Sequence, residues 1–355
     1  MQRLPRFTKV VLLAGIAFGA LQLRNVAKGW QEAKKPDAPA AAAELLPAPE
    51  PNPEATALLK SARERLSQWQ SIQANVIQRI DVGDRRLKST GRFVAGEFPR
   101  LRLEYEVSVG NTVGRLLEVC DGQVLHVERR IEDISGPADE KPASDKEESK
   151  DASKPFIEAM RRDVQRILRA TGDAQGAAVS MHAGDLGLGG LTAMLASLDR
   201  TMVFDSIREE QHNGQNFRVI QGIWNPKSFA EIQARLGGMS QQMAMFLPER
   251  VRIYFEADSL FPVRILYLKL ASNQGERRTY RPILSLEFHD VEFDAPIPAD
   301  AFSYRVPAGV QQKDDTDDFI QLLKVSQGQG QAQPAPPEQP AEGLNLKRPI
   351  DSPRR

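Results

Sequence analysis

Apolar and polar residues alternate along several stretches of this chain, most regularly between residues 99 and 109. The odd-numbered positions there are apolar and the even-numbered ones are polar: Leu101, Leu103, Tyr105 and Val107 against Arg102, Glu104 and Glu106. The same alternation returns at Val251, Ile253 and Phe255. Successive side chains of a strand point to opposite faces. The pattern therefore predicts antiparallel strands with one apolar face and one polar face.

Runs of this kind, separated by short turns, predict ten strands, or eleven with 302–306. We expect them at 72–82, 85–96, 100–109, 113–120, 123–131, 201–210, 215–224, 248–257, 261–270 and 280–292. Helical periodicity predicts helices near 58–69, 156–170, 191–198 and 226–236. Tight turns join strands into an antiparallel meander, and a sheet of so many strands must curl. The predicted fold class is mainly β with helices: a curved antiparallel sheet, an incomplete barrel of about 10–11 strands, covered by helices over an apolar cavity.

The helices are too few to cover the apolar face of such a sheet fully, which favours a lipid-binding surface over a reaction centre. The best lid candidate is an apolar stripe at helical spacing: Leu191, Met194, Leu195 and Leu198. A stripe of this kind is also compatible with plain core packing. The second lid candidate is the methionine-rich segment 236–246.

Composition divides the chain into four parts. Residues 1–30 carry a basic start and a short apolar run, which predicts export, either as a cleaved signal peptide or as a retained signal anchor. Residues 31–53 form an Ala/Pro-rich linker, 54–320 the folded domain, and 321–355 a disordered Gln/Pro-rich tail. Within the domain, 132–154 has almost no large apolar residue and is predicted to be a disordered surface insertion.

The chemistry of the chain argues against an enzyme. Lys plus Arg and Asp plus Glu number 47 each, so charge gives no reason to expect nucleic acid. Cys120 is the single cysteine and reads as a buried strand thiol. The four histidines have no metal-ligand spacing, and the acidic run 314–318 lacks the Gly and the closing Glu of a calcium loop. We therefore predict no catalytic residues, no metal and no cofactor.

Five segments, taken in order, resemble the LolA family of periplasmic lipoprotein carriers. They are a Gln-ending strand (Ile72–Gln78), a Gly-x-Phe step (Gly91–Phe93), a Pro-Arg-Leu strand start (Pro99–Leu101), an Asp-Gly-x-x-Leu hairpin (Cys120–His126) and a closing Pro-x-Gly-Val segment (Phe302–Val310). The resemblance spans about 54–310. It implies a half-barrel whose helices cover the concave mouth, with acyl chains between sheet and helices.

One departure from the family concerns the lid. The family carries an Arg before the Pro of the third segment, and this Arg hydrogen-bonds the lid; here the position is Phe98. We therefore expect Phe98 to contact the 191–198 helix as an apolar latch. The expected ligand-binding residues come from two strands and this helix: Leu101, Leu103, Tyr105, Val107, Leu191, Met194, Leu195, Leu198, Val251, Ile253 and Phe255.

The resemblance implies an exported lipid-binding protein that holds lipoprotein acyl chains in lipoprotein sorting to the outer membrane. The alternative that it leaves open is an envelope sensor of the RseB type, using the same cavity. The expected partners are lipoprotein acyl chains or other lipid, and membrane-bound lipoprotein-release or acceptor proteins. The expected location is the periplasm, with a tether to the inner membrane if the N-terminal segment is retained.

Overall fold

The computed structural model describes residues 50–82, 85–133, 155–170, 190–235, 247–274 and 277–326. The predicted signal segment, most of the linker, insertion and tail, and the second lid candidate at 236–246 lie outside these residues. Two predicted boundaries shift within the described part. Residues 132 and 133 belong to a strand, and 321–326 belong to a helix rather than to the tail.

Twelve strands and five helices are found in the described residues. The strands are β1 (Ile72–Val82), β2 (Arg85–Ala95), β3 (Leu101–Val109), β4 (Thr112–Cys120), β5 (Val124–Asp133), β6 (Phe156–Asp163), β7 (Met202–His212), β8 (Gln215–Trp224), β9 (Arg250–Glu256), β10 (Pro262–Gln274), β11 (Arg277–Phe293) and β12 (Gln312–Asp314). The helices are α1 (Pro53–Leu66), α2 (Val164–Ala170), α3 (Gly190–Thr201), α4 (Pro226–Arg235) and α5 (Thr316–Ser326).

All twelve strands form one sheet in the order β12-β6-β5-β4-β3-β2-β1-β11-β10-β9-β8-β7. Neighbours are antiparallel except β12 and β6, which are parallel. The sheet is curved, and its two edge strands do not pair, so the barrel is unclosed. The prediction of a curved antiparallel sheet is confirmed, with twelve strands rather than ten or eleven. This is the architecture that the LolA resemblance implied.

Cross-strand pairing sorts the side chains into rows across β2 to β6. One row joins Phe93, Leu103, Glu118, Val127 and Met160, and the next joins Gly91, Tyr105, Leu116, Arg129 and Glu158. These rows lie on the face that the helices cover, because their apolar members belong to the same buried cluster as the helices. We call it the helix-side face.

Helices α1 and α3 pack against each other beside β7 and cover the helix-side face. Helix α1 begins after Asn52, whose side-chain oxygen accepts hydrogen bonds from the N–H groups of Glu54 and Ala55, both at 3.0 Å. One stripe of α1 is buried at helical spacing: Ala55, Leu58, Leu59, Ala62 and Leu66. Helices α2 and α5 pack together at the β5–β6 end of the sheet.

The opposite, outer face is crossed by the segment after β11. Arg102 donates a hydrogen bond to the carbonyl of Ala301 at 3.2 Å, and the Tyr304 hydroxyl donates to Glu128 at 2.9 Å. The proposed eleventh strand at 302–306 is therefore wrong: these residues lie against the sheet without joining it. The twelfth strand comes later, at 312–314.

The predicted helix at 156–170 is only partly correct. Residues 156–163 form β6, and only 164–170 form α2. Helix α5 was not predicted from periodicity, although a helix N-terminus was one of two interpretations of the acidic run 314–318, the other being an acidic linker. None of the helices in the described part of the chain is long and apolar enough to span a bilayer.

Candidate functional site

The residues that the sequence selected for ligand binding come together between the sheet and the helices. Ten of the eleven belong to one buried cluster, and Val107 is buried just outside it. Strand β3 supplies three of the ten, β9 three and α3 four: Leu101, Leu103, Tyr105, Val251, Ile253, Phe255, Leu191, Met194, Leu195 and Leu198. Each is at most 9% exposed. These side chains form a closed apolar core, and binding of a ligand there remains a prediction.

Helix α3 is held over this core at both of its ends. At its first residue the backbone of Gly190 has a φ of +60° and lies next to the Phe93 ring and Leu101. At its last turn Asp199 forms an ion pair with Arg63 of α1, with 2.5 Å between Nη1 and Oδ2. A charged pair therefore ties α3 to α1, in addition to the apolar contacts.

Phe98 does not occupy the place expected of a latch. Its side chain is 46% exposed, and it is not part of the buried cluster. An apolar latch gains its free energy from burial, which a half-exposed ring largely forgoes. Phe93, from the preceding strand, is instead the aromatic residue beside the start of α3.

A group of polar side chains interrupts the apolar helix-side face at β3, β4 and β5. Tyr105 and Arg129 lie in one row, and Glu118 lies one row closer to the helices. The Tyr105 hydroxyl and Arg129 Nε are buried and have no hydrogen-bond partner among the described residues. Gly91 faces Tyr105 across the strand pair, and a Cβ there would meet the Glu104 carbonyl oxygen at 1.8 Å. Only glycine therefore permits the close approach of β2 and β3 beside the Tyr105 ring.

The electrostatics of this polar group centre on Glu118. Burial raises the pKa of its carboxyl, while the positive charges of Arg162 and Arg129 act in the opposite direction. Burial, reinforced by the charge of Glu118, also raises the pKa of the Tyr105 hydroxyl far above its ordinary value. Tyr105 therefore stays protonated at all physiological pH values.

The two arginines near Glu118 are already engaged. Arg162 makes a two-pronged contact with Asp315, with nitrogen–oxygen distances between 2.9 and 3.2 Å, and its guanidinium lies 4.4 Å from the Phe319 ring centre. Arg129 lies 3.4 Å from a carboxylate oxygen of Glu158. Each arginine thus has its own carboxylate, and Glu118 is the additional acid of the group.

Beyond the row of Tyr105, the helix-side face continues as an apolar surface that is more open. Val107 is buried, Ile131 is half-buried, and Val109 and Phe156 are 46% and 42% exposed. We call these four residues the open end. The buried cluster thus stops at the polar group, and exposed apolar surface lies on its other side.

A separate cleft of about 1190 Å³ lies at the other half of the sheet. It is bounded by β1, β2, β9, β10, β11 and the β7–β8 hairpin, and its lining mixes aromatic with charged side chains such as Phe261, Phe288, Glu287 and Arg264. None of the eleven predicted ligand-binding residues lines it.

The weaker candidates from the sequence have structural roles. His126 stacks on Tyr304 with ring centres 4.8 Å apart and lies 3.0 Å from the Gln312 side chain. The acidic run 314–318 starts α5, where Asp314 accepts a hydrogen bond from the Thr316 N–H at 3.0 Å. Among the described residues, no group of three or more His, Cys, Asp or Glu side chains could hold a metal ion.

Sequence reasoning missed Glu118, Arg129 and Arg162 as members of the site. The signal for Glu118 was its spacing of two residues from Leu116 and from Cys120, which places all three side chains on the same face of β4. Leu117 and Val119 are equally apolar on the other side, so alternation alone does not assign the faces. Arg162 was assigned to a helix, which hid its place on the sheet.

No family model and no curated protein matches the sequence. Among solved structures, the chain is similar to the lipoprotein LppX of Mycobacterium tuberculosis, with 12% identity and a TM-score of 0.32 over 70% of this chain and 100% of that one. It is also similar to the LolA superfamily protein NE2245 of Nitrosomonas europaea, with 12% identity and a TM-score of 0.25 over 70% and 97% of the two chains.

A third similar structure is the MucA/MucB complex of Pseudomonas aeruginosa, with 11% identity and a TM-score of 0.33. The match covers 71% of this chain and 61% of that one. With identities and TM-scores this low, the ligand and the partners of this chain have to be inferred from its own geometry.

Proposed function

We propose that this chain is an exported lipid-binding protein that holds lipoprotein acyl chains on the helix-side face, in lipoprotein sorting to the outer membrane. The observation that carries the proposal is the apolar surface on both sides of the polar group. The buried core lies beneath α1 and α3 on one side, and the open end, where Val109 and Phe156 are exposed, lies on the other. The periplasmic location rests on residues 1–30, which lie outside the described part of the chain.

The physical requirement on such a carrier is burial of apolar surface. Each square ångström of acyl chain removed from water contributes about 25 cal/mol. A single acyl chain binds a bilayer only marginally, and additional chains raise the cost of leaving it steeply. The carrier must therefore offer an apolar surface that matches the membrane, and the side chains of β3, β9 and α3 offer one.

A ligand can reach that surface only if helix α3 is displaced, because the core is closed. Met194 is the most exposed of the four α3 side chains that face it, at 9%. An acyl chain that starts on the open end can extend under the helices only as α3 moves away. Apolar contacts with the sheet are exchanged for apolar contacts with the ligand, so the exchange costs little.

Binding of a fluorescent apolar probe to the full chain, followed by its displacement with a triacylated lipopeptide, tests the proposal. Val109→Glu and Phe156→Glu place a charge on the open end and are expected to abolish uptake of both ligands, because a bound acyl chain would bury the carboxylate without a partner, which is costly. Val306→Glu, at a 39% exposed apolar position elsewhere, is the matched control and should leave uptake unchanged. If the folded wild-type protein takes up neither ligand, the proposal is wrong.

A further inference from the structure

A polar group inside an apolar sheet face needs an explanation, because buried polar atoms are almost always hydrogen-bonded. Tyr105 is only 6% exposed, yet its hydroxyl has no partner among the described residues. Arg129 Nε, in the same row, is likewise buried and unpaired there. Both atoms can donate a hydrogen bond, and both lie on the helix-side face.

Glu118 adds an acceptor to these two donors. It lies diagonally across the β3–β4 pair from Tyr105 and across the β4–β5 pair from Arg129, on the same face as both. Its side chain is half-buried, so solvent still reaches it. The pKa of its carboxyl is raised by burial, which shows that the surroundings do not favour its charge.

The charge balance of the group points to a neutral ligand head. Arg162 is bound by Asp315 in a two-pronged contact, and Arg129 is beside Glu158. No unpaired positive charge is therefore left on Arg162 or Arg129 for an anionic head, and an ionised Glu118 would repel one. A head that combines acceptor oxygens with a hydroxyl donor complements two donors and one acceptor.

The position of the group is suited to an amphipathic ligand. The apolar core begins in the row of Glu118, with Leu103 and Val127 directly opposite it, and the apolar open end lies beyond the row of Tyr105, with Val107 and Ile131. A hydrocarbon chain can lie on apolar surface while its head remains at the polar row.

We propose that Tyr105, Arg129 and Glu118 form a subsite for the neutral ester–glycerol head of an acylglycerol. Tyr105 Oη and Arg129 Nε donate to oxygen atoms of the ester and glycerol, and the Glu118 carboxyl accepts from a glycerol hydroxyl. This subsite rests on the proposed function, since it places the head of a ligand whose chain occupies the apolar face.

The test compares three ligands with one another: monopalmitoylglycerol, palmitate and the apolar fluorescent dye N-phenylnaphthylamine, each bound to the full chain. Tyr105→Phe removes only the hydroxyl and is expected to weaken binding of monopalmitoylglycerol about 3–10-fold, the effect of one hydrogen bond. Binding of the dye should be unchanged. Tyr267→Phe is the matched control, because it removes a hydroxyl from β10 on the same face and should change neither.

Glu118→Gln gives a second, independent variant that keeps the shape of the side chain. At a pH where the Glu118 carboxyl is ionised, it is expected to weaken binding of monopalmitoylglycerol about 3-fold, because hydrogen bonds to charged groups are the stronger ones. If circular dichroism shows that Tyr105→Phe does not fold, Glu118→Gln still tests the subsite.

Three results separate the subsite from the proposed function. If a folded Tyr105→Phe or Glu118→Gln protein binds monopalmitoylglycerol as the wild type does, the subsite is wrong while the lipid-binding function stands. If palmitate binds more tightly than monopalmitoylglycerol, the head is anionic and the subsite is again wrong. If the wild type binds none of the three ligands, the proposed function itself fails.

Discussion

Arg63 and Asp199 join the two helices that cover the sheet, with 2.5 Å between Nη1 of Arg63 and Oδ2 of Asp199. Their side chains are 22% and 31% exposed, so the pair is partly shielded from water. Helix α3 must move for an acyl chain to extend over the core, and this pair resists the movement. We therefore expect this charged pair between α1 and α3 to act as the latch, whereas the sequence predicted an apolar latch at Phe98.

Asp199→Asn should loosen α3 and speed probe uptake about 2–5-fold, since a pair of this exposure contributes about 0.2–1 kcal/mol. Raising the salt concentration should have the same effect on the wild type and little effect on the variant. Glu64→Gln is the control, because Glu64 pairs with Lys60 within α1 and does not reach α3. Stopped-flow fluorescence measures the rates, and equal salt dependence in both proteins would rule out this latch.

The reactivity of the Cys120 thiol can be used to measure opening of the core. It is the only cysteine of the chain, it is 2% exposed, and burial raises the pKa of its thiol to about 11 from 9.0. The reactive thiolate fraction at pH 8 is then about 100-fold smaller than in the unfolded chain. We expect alkylation by iodoacetamide to be slow in the wild type and faster in Asp199→Asn. Rapid labelling of the folded wild type would show that this end of the core is open.

The raised pKa of Glu118 predicts how stability depends on pH. The folded state holds the Glu118 proton more tightly than the unfolded state, so between the ordinary pKa of 4.5 and the raised value the folded state carries more protons. The free energy of unfolding therefore falls as the pH rises through this window. Glu118→Gln should remove that loss and gain stability relative to the wild type above pH 4.5.

Urea denaturation of both proteins across this pH range measures the difference. Glu97→Gln, in an exposed turn between β2 and β3, is the control, and its free energy of unfolding should vary with pH as that of the wild type does. A wild type that gains stability relative to Glu118→Gln as the pH rises would contradict the burial of this carboxyl.

Most strands could be predicted from the sequence because their signals are local. Strands β1 and β8 have the predicted bounds, and β3 and β4 differ from theirs by one residue. Alternation sets the side-chain period and turn residues set the ends, so neither depends on distant parts of the chain.

The sequence predictions are wrong where contacts between residues far apart in the chain determine the structure. Residues 156–163 have no strict alternation, and they form β6 because β5 and β12 pair with them. Helix α5 is fixed by contacts with α2 and β6, which local sequence does not reveal. The segment 302–306 looks like a strand because apolar and polar residues alternate along it, but it pairs with no strand of the sheet.

The residues of the candidate site also divide into those that local sequence predicts and those that depend on distant contacts. The apolar members on β3, β9 and α3 followed from periodicity, and the structure brings them together. The polar members Glu118 and Arg129 meet only through the register of β4 with β5. Their role depends on what lies beside each strand, so the pattern along one strand could not identify them.

The contact between Arg162 and Asp315 gives the sharpest prediction of stability. It joins β6 to the start of α5, and both side chains are nearly buried, at 10% and 13% exposed. Asp315→Asn leaves the Arg162 charge without its carboxylate, which typically costs about 3–5 kcal/mol at a buried pair. Asp317→Asn breaks the exposed pair with Arg166 two residues further along the chain, where about 0.2–1 kcal/mol is expected. Urea denaturation of the two variants compares them directly, and equal losses would mean that the Arg162–Asp315 contact does not hold α5 on the sheet.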